Sequence, residues 1–165
     1  MTHPNLSSEL ILYTSPDGSV KIDVILEDET VWLTQEQMSK LFGKARTTIV
    51  EHIQNIFKER ELDESSTCRK FRQVQKEGSR NVERELPYYN LDVIISVGYR
   101  VKSRQGTQFR IWATQRLKEY IIKGFSLNSE RFKSGESMNY FNELQERIRE
   151  IRLSERFFYQ KIKDI

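Results

Sequence analysis

The sequence predicts an α+β fold carrying a helix-turn-helix, and three patterns predict it. Val20, Ile22, Val24 and Leu26 recur at every second position, the period of a strand. In residues 32–54, WLTQEQMSKLFGKARTTIVEHIQ, apolar residues recur at three- and four-residue steps on both sides of Gly43, the period of two short helices. Residues 67–90 give two more strand-like runs, TCRKFRQVQ and VERELPYYN, around a glycine-containing turn.

Leu10, Ile11 and Leu12 precede Ser15-Pro16-Asp17-Gly18, a turn signal that predicts an N-terminal β-hairpin ending near Leu26. Val31-Trp32-Leu33 predicts a short strand before the helices. Thr34 is placed to cap the first helix, with Gln37 closing a capping box. Met38, Leu41 and Phe42 share its inner face, and Ser39 is small where two helices would cross. Gly43 stops the helix in a turn that needs positive φ. Thr47 or Thr48 is expected to start the second helix, whose inner face carries Ile49 and Ile53.

Lys58 to Ser66 reads as a polar connection to the second hairpin, where Phe71, Val74, Val82 and Leu86 are the expected apolar contacts. Asn90 or Asp92 opens a helix bearing Leu91, Ile94, Ile95 and Val97. Ser103 to Gly106 breaks it, and Thr107 is expected to cap the next. That helix presents Phe109, Trp112, Ala113, Leu117, Tyr120 and Ile121, reads as the structural centre with Trp112 buried, and ends at Gly124. From Ser137 the pattern becomes one charged amphipathic helix, ~40 Å long at 1.5 Å per residue. Phe141, Leu144, Ile148, Ile151, Phe158, Ile162 and Ile165 follow heptad-like steps broken only by Glu155, the pattern of a coiled-coil dimer. With Ser134-Gly135 as a hinge, the expected domains are an α+β unit over 1–133 and an amphipathic helix over 134–165.

Composition narrows the function classes. The 165 residues carry a net charge of +3, too little to imply nucleic acid without a favourable distribution. Cys68 is the single cysteine and has no metal-ligand spacing around it, although Arg69 and Lys70 beside it would lower its pKa. His3 and His52 are too few for common metal or triad constellations, and no P-loop or dinucleotide-binding glycine pattern occurs. His3-Pro4-Asn5 resembles the start of a Fic-type motif, but no glycine-rich anion loop follows. A non-enzyme without metal or cofactor is expected. With no secretory signal and no apolar run of membrane-spanning length, the expected compartment is the cytoplasm.

In a helix-turn-helix the second helix enters the major groove of duplex DNA. Its outer side here would be Arg46, Thr47, Thr48, Val50, Glu51 and Gln54. Arg and Gln make bidentate base contacts, and Val50 suits a thymine methyl. Glu51 fits a phosphate-rich groove only by accepting from a cytosine amine or pairing with Arg46. The second hairpin resembles the wing of a winged helix and carries Arg69, Lys70, Arg72, Lys76, Arg80 and Arg84 against Glu77, Glu83 and Glu85. Arg100, Lys102, Arg104 and Arg110 form a second basic cluster. Double-stranded DNA and a second copy of the chain, joined through the C-terminal helix, are therefore the expected partners.

From Trp32 to Lys133 the chain resembles the RhuM family of bacterial virulence-associated proteins. The segments LTQEQMSKLF, HIQNIFKERELDE, YYNLDVIISVGYRVKSRQGTQFRIWATQRLKEYIIKGF and LNSERFK carry the resemblance, and NELQERIREIRLSERFFYQKIKDI is similar to the family's middle helix. Members are generally described as candidate DNA-binding proteins and are typically longer, so the resemblance implies an N-terminal portion or a shortened member. Residues 82–124, with Phe109 and Trp112 in an F-x-x-W pattern, also resemble in architecture the Bro-N and KilA-N modules of phage and viral DNA-binding or antirepressor proteins. The leading expectation is a bacterial transcriptional or mobile-element regulator. The alternatives are a protein-interaction adaptor or antitoxin-like partner whose helix-turn-helix is only structural, and an RNA binder.

Overall fold

The computed structural model describes residues 25–28, 30–135 and 138–164. In chain order the elements are β1 (Ile25–Glu27), β2 (Thr30–Thr34), α1 (Gln35–Phe42), α2 (Arg46–Lys58), α3 (Glu64–Thr67), β3 (Cys68–Glu77) and β4 (Arg80–Tyr89). They continue with α4 (Leu91–Arg100), α5 (Arg104–Lys123), α6 (Ser129–Lys133) and α7 (Met138–Lys163). The fold is α+β, as expected. The expected hairpin strands around Leu10–Leu12 and Val20–Val24 lie outside the described residues. The chain forms two compact units, Met1–Arg116 and Leu117–Ile165, with the division inside α5.

The sheet of the first unit is antiparallel in the order β1-β2-β4-β3. Because strand side chains alternate, the sheet feeds two clusters. Val31, Leu33 and Tyr89 join the helices in the main core, while Ile25, Trp32, Phe71 and Tyr88 pack together on the other face. Trp32 is fixed there by its indole N–H donating to the Glu27 carbonyl (3.1 Å) and by an edge-on ring contact with Phe71.

Thr34 ends β2 and caps α1 at once. Its hydroxyl accepts from the Gln37 N–H (3.1 Å), and the Gln37 side chain accepts from the Thr34 N–H (2.8 Å), completing the expected capping box. Gly43 ends the helix at φ 60°, a left-handed cap that glycine adopts without a Cβ penalty. The second helix starts earlier than expected. Its N-cap is Ala45, with no side-chain cap, so Thr47 and Thr48 already lie in its first turn. Ile49, Ile53 and Ile56 bury its inner face against Met38 and Phe42 of α1 and Val93, Ile94 and Val97 of α4. Ser39 holds the turn with its hydroxyl, which donates to the Lys44 carbonyl.

Asn90 caps α4 by accepting from the Val93 N–H (3.3 Å). Gly98 on this helix is a close-approach site: a Cβ there would run into the Phe109 ring and within 3.1 Å of Phe42. Those two rings meet edge-on at 5.4 Å, and they fill the space a side chain would take.

Further expectations are corrected. The connection after α2 contains a helix, α3. Val74 is exposed opposite Glu83 towards the hairpin tip, while Cys68, at the other end of the same strand face, packs against the main core. Ile95 is likewise exposed, on the outer side of α4. Helix α5 begins at Arg104 with Ser103, not Thr107, accepting from the Gly106 N–H (2.9 Å). The structural centre is not residues 107–124 either. Of that stretch Phe109 is fully buried and Trp112 packs half-buried against the core, while Leu117, Tyr120 and Ile121 are exposed.

In the second unit α5 ends at Lys123, as expected, with the Gly124 N–H still bonded to the Tyr120 carbonyl (2.9 Å). Asn128 caps a further short helix, α6, that the apolar period does not predict. Helix α7 is the expected long one, 26 residues, with exposed apolar side chains along most of its length.

Candidate nucleic-acid interface

With Ile49, Ile53 and Ile56 anchoring α2, helical geometry turns Thr47, Glu51, Gln54 and Lys58 outward, and all four are exposed. Arg46 is exposed at the start of the helix, whereas Thr48 and Val50 are half-buried. A chain of hydrogen bonds positions Arg46. Its Nε donates to Gln35 Oε1 (3.1 Å), and Gln35 Nε2 donates to the Tyr89 hydroxyl (3.1 Å), linking the helix to the sheet. Glu51 therefore does not pair with Arg46, and among the described residues it has no ion-pair partner.

The start of α5 braces the turn between α1 and α2. Ser103 Oγ donates to the Phe42 carbonyl (2.6 Å), and the Gln105 side chain lies against Gly43. Lys102 and Arg104 flank these inward residues and are exposed. On the α1–α2 side, Lys40 is exposed and Lys44 half-exposed. Lys40, Lys44, Lys102 and Arg104 form no ion pair among the described residues, so the turn is bordered by uncompensated positive charge. Lys40, Lys44 and Lys58 were missed in the sequence. Their signal was position: two flank the turn glycine, and the third continues the 47-51-54 face.

The other expected cations are divided between structural and free roles. Arg100 bridges Glu59 (2.7 Å) and Glu61, tying the C-terminal end of α2 to α4; the guanidinium holds the Glu59 carboxyl below its usual range. Arg110 donates to the Gly98 (3.0 Å) and Val101 (2.7 Å) carbonyls, covering the C-terminal end of α4. In the β3–β4 hairpin, Arg69 binds Asp28 (2.6 Å) and lies 4.9 Å over the Trp32 ring. Arg72 pairs with Glu85 (3.8 Å) and Arg84 with Glu77. Lys70, Lys76 and Arg80 have no ion-pair partner among the described residues, and the last two border the Gly78-Ser79 turn at the hairpin tip.

Burial shifts two titratable groups, and at Cys68 the direction is opposite to that expected from Arg69 and Lys70. Burial pushes the Cys68 thiol up, helped by Glu64, and outweighs the Tyr89 hydrogen bond and Lys70. Arg69, expected to lower it, projects from the opposite face of the strand toward Trp32. His52 lies half-buried in α2, and burial lowers its pKa; Glu51 opposes this, while Arg100 and Lys44 add to it.

Among the described residues, no cluster of His, Cys, Asp and Glu could hold a metal ion, and no helix is long and apolar enough to cross a membrane. The model of the virulence protein RhuM family matches residues 66–165, from within α3 through α7, leaving α1 and α2 outside the matched stretch. No curated protein and no solved structure matched the chain. With most of its length matched, the chain belongs to the virulence protein RhuM family.

Proposed function

We propose that this protein binds duplex DNA through α2 as a transcriptional or mobile-element regulator in the bacterial cytoplasm, self-associating through α7, by binding alone and without a catalytic step. The observation that carries the reading is the outward face of α2. Its inner face is locked by three buried isoleucines, its outer face is open, and the turn before it is bordered by free Lys and Arg. An exposed helix start with no side-chain cap leaves N–H groups for phosphate oxygens, and the helix dipole favours that contact. The strand order β2-β4-β3 around α1 and α2, with Lys76 and Arg80 at the hairpin tip, supports a winged arrangement in which the wing meets the backbone.

The division of labour between these surfaces is testable. Arg46→Ala or Gln54→Ala should change the ranking of duplexes recovered by selection from random sequence, costing roughly 1–3 kcal/mol on the preferred site. Arg80→Ala should weaken binding to all duplexes alike and make the salt dependence shallower by about one unit. If neither class of change alters binding, α2 and the hairpin are not the DNA surface. A competing reading, a protein-interaction adaptor or antitoxin-like partner, draws support from the pairing of Arg69, Arg72, Arg84 and Arg100 with carboxylates, which removes them as free phosphate ligands.

A further inference from the structure

We propose that α7 pairs antiparallel with α7 of a second copy of this chain, setting Ile148 against Ile151 of that copy and Phe141 against its Phe158. This rests on the self-association in the reading above, and is independent of DNA binding.

Helix α7 is one uninterrupted helix with apolar side chains at heptad steps. Phe141, Ile148, Ile151 and Phe158 are 39, 44, 67 and 63% exposed. Together they present on the order of 400 Å² per copy, and two copies reach the size of a stable interface (~1,200 Å² or more) once flanking side chains are counted. A second copy suits this face because the middle of the stripe is self-complementary: Phe141 with Phe158, and Ile148 with Ile151, lie symmetrically about a midpoint between positions 149 and 150.

Charge selects the direction. With Phe141 and Ile148 at a, and Leu144 and Ile151 at d, Glu155 occupies the next a position. A parallel pair would stack Glu155 on Glu155 inside the seam and set Arg147 at g against Arg152 at e of the other copy. The antiparallel register removes both repulsions. Glu155 then faces Leu144 at the seam edge, with Arg147 of the same copy as that Leu144 beside it, and Arg152 flanks Gln145. Shifting by one heptad toward the C-terminal end would bring Arg152 against its own counterpart and Arg147 against Lys161. Within each helix, Glu143–Arg147 (3.3 Å) and Glu146–Arg149 (3.0 Å) pairs offset the remaining charge. Leu153 and Phe157 lie outside the seam.

Cysteine crosslinking reads the register in the full chain. In a Cys68→Ser background, Ile148→Cys and Ile151→Cys variants are oxidised separately and after mixing through an unfolding–refolding cycle, with sedimentation of the unmodified chain alongside. The register requires a sedimenting dimer, strong 148–151 crosslinking in the mixture, and little from either variant alone. Efficient crosslinking of each variant to itself would overturn the antiparallel direction. A dimer with no crosslink would move the interface off α7. A monomer at high concentration would overturn self-association altogether while leaving the DNA titration free to succeed.

Discussion

Helices α2 and α7 carry apolar residues at the same three- and four-residue steps, yet they treat them oppositely. Ile49, Ile53 and Ile56 of α2 are at most 3% exposed, whereas Ile148 and Ile151 of α7 are 44% and 67% exposed. The difference lies in neighbours, not in periodicity. α2 has α1 and α4 beside it: the Gly43 turn folds α2 back on α1, and Gly98 lets α4 approach Phe42 of α1 closely. A periodic stripe states which face is apolar; only the elements that follow in the chain decide whether that face becomes core. In α2 the burial of one face defines the other as a rigid display surface, while in α7 the apolar face is itself the display surface.

The largest expected effect of breaking this contrast is in the first unit. Phe42→Ala empties a fully buried position between Gly98 and Phe109 and should cost about 3–5 kcal/mol in denaturant unfolding. Ile148→Glu combined with Ile151→Glu should leave the unfolding of that unit unchanged while converting a dimer to a monomer in sedimentation, because among the described residues neither side chain belongs to a buried cluster. A loss of more than about 1 kcal/mol would mean that the stripe packs internally.

Trp112→Ala sharpens the boundary between the two behaviours. Half-buried against Phe109 at a ring distance of 5.8 Å, Trp112 should cost about 1–3 kcal/mol, less than a fully buried tryptophan. Thr34→Ala, which removes half of the capping box, should cost about 1 kcal/mol. Smallest is a pH effect at His52. Burial holds its folded pKa below the ordinary histidine value, so the unfolded chain takes up the proton first as pH falls through about 6.5. Stability is complete above that pH and declines below it, and His52→Gln should flatten the decline in melting temperature between neutral and mildly acidic pH.

Much of this was legible from residue order. The Thr34–Gln37 box, Gly43, the Asn90 cap and the long last helix all depend on a few neighbouring residues, and each stands where the sequence predicts. The misses are tertiary. Ala45 stands at the N-cap instead of a threonine, its carbonyl already accepting from the Thr48 and Ile49 N–H groups. Leu117, Tyr120 and Ile121 share a helix with buried Phe109 and are nonetheless exposed, because period alone does not say how far along a helix its apolar face becomes core. For the candidate site, the outer face of α2 was readable from its period. Which arginines remain free was not, because Glu59 and Glu61 reach Arg100, and Asp28 reaches Arg69, only once the chain is folded.

Recognition of duplex DNA by α2 and its basic surround, as proposed, is open to direct measurement. Fluorescence-anisotropy titration of the full chain with duplex oligonucleotides across a series of salt concentrations tests it most directly. The expected result is tight binding at low salt whose logarithmic affinity falls linearly with logarithmic salt, with a slope corresponding to several phosphate contacts. Absence of duplex binding at low salt, or an affinity indifferent to salt, would contradict it and leave the outer face of α2 to a protein partner.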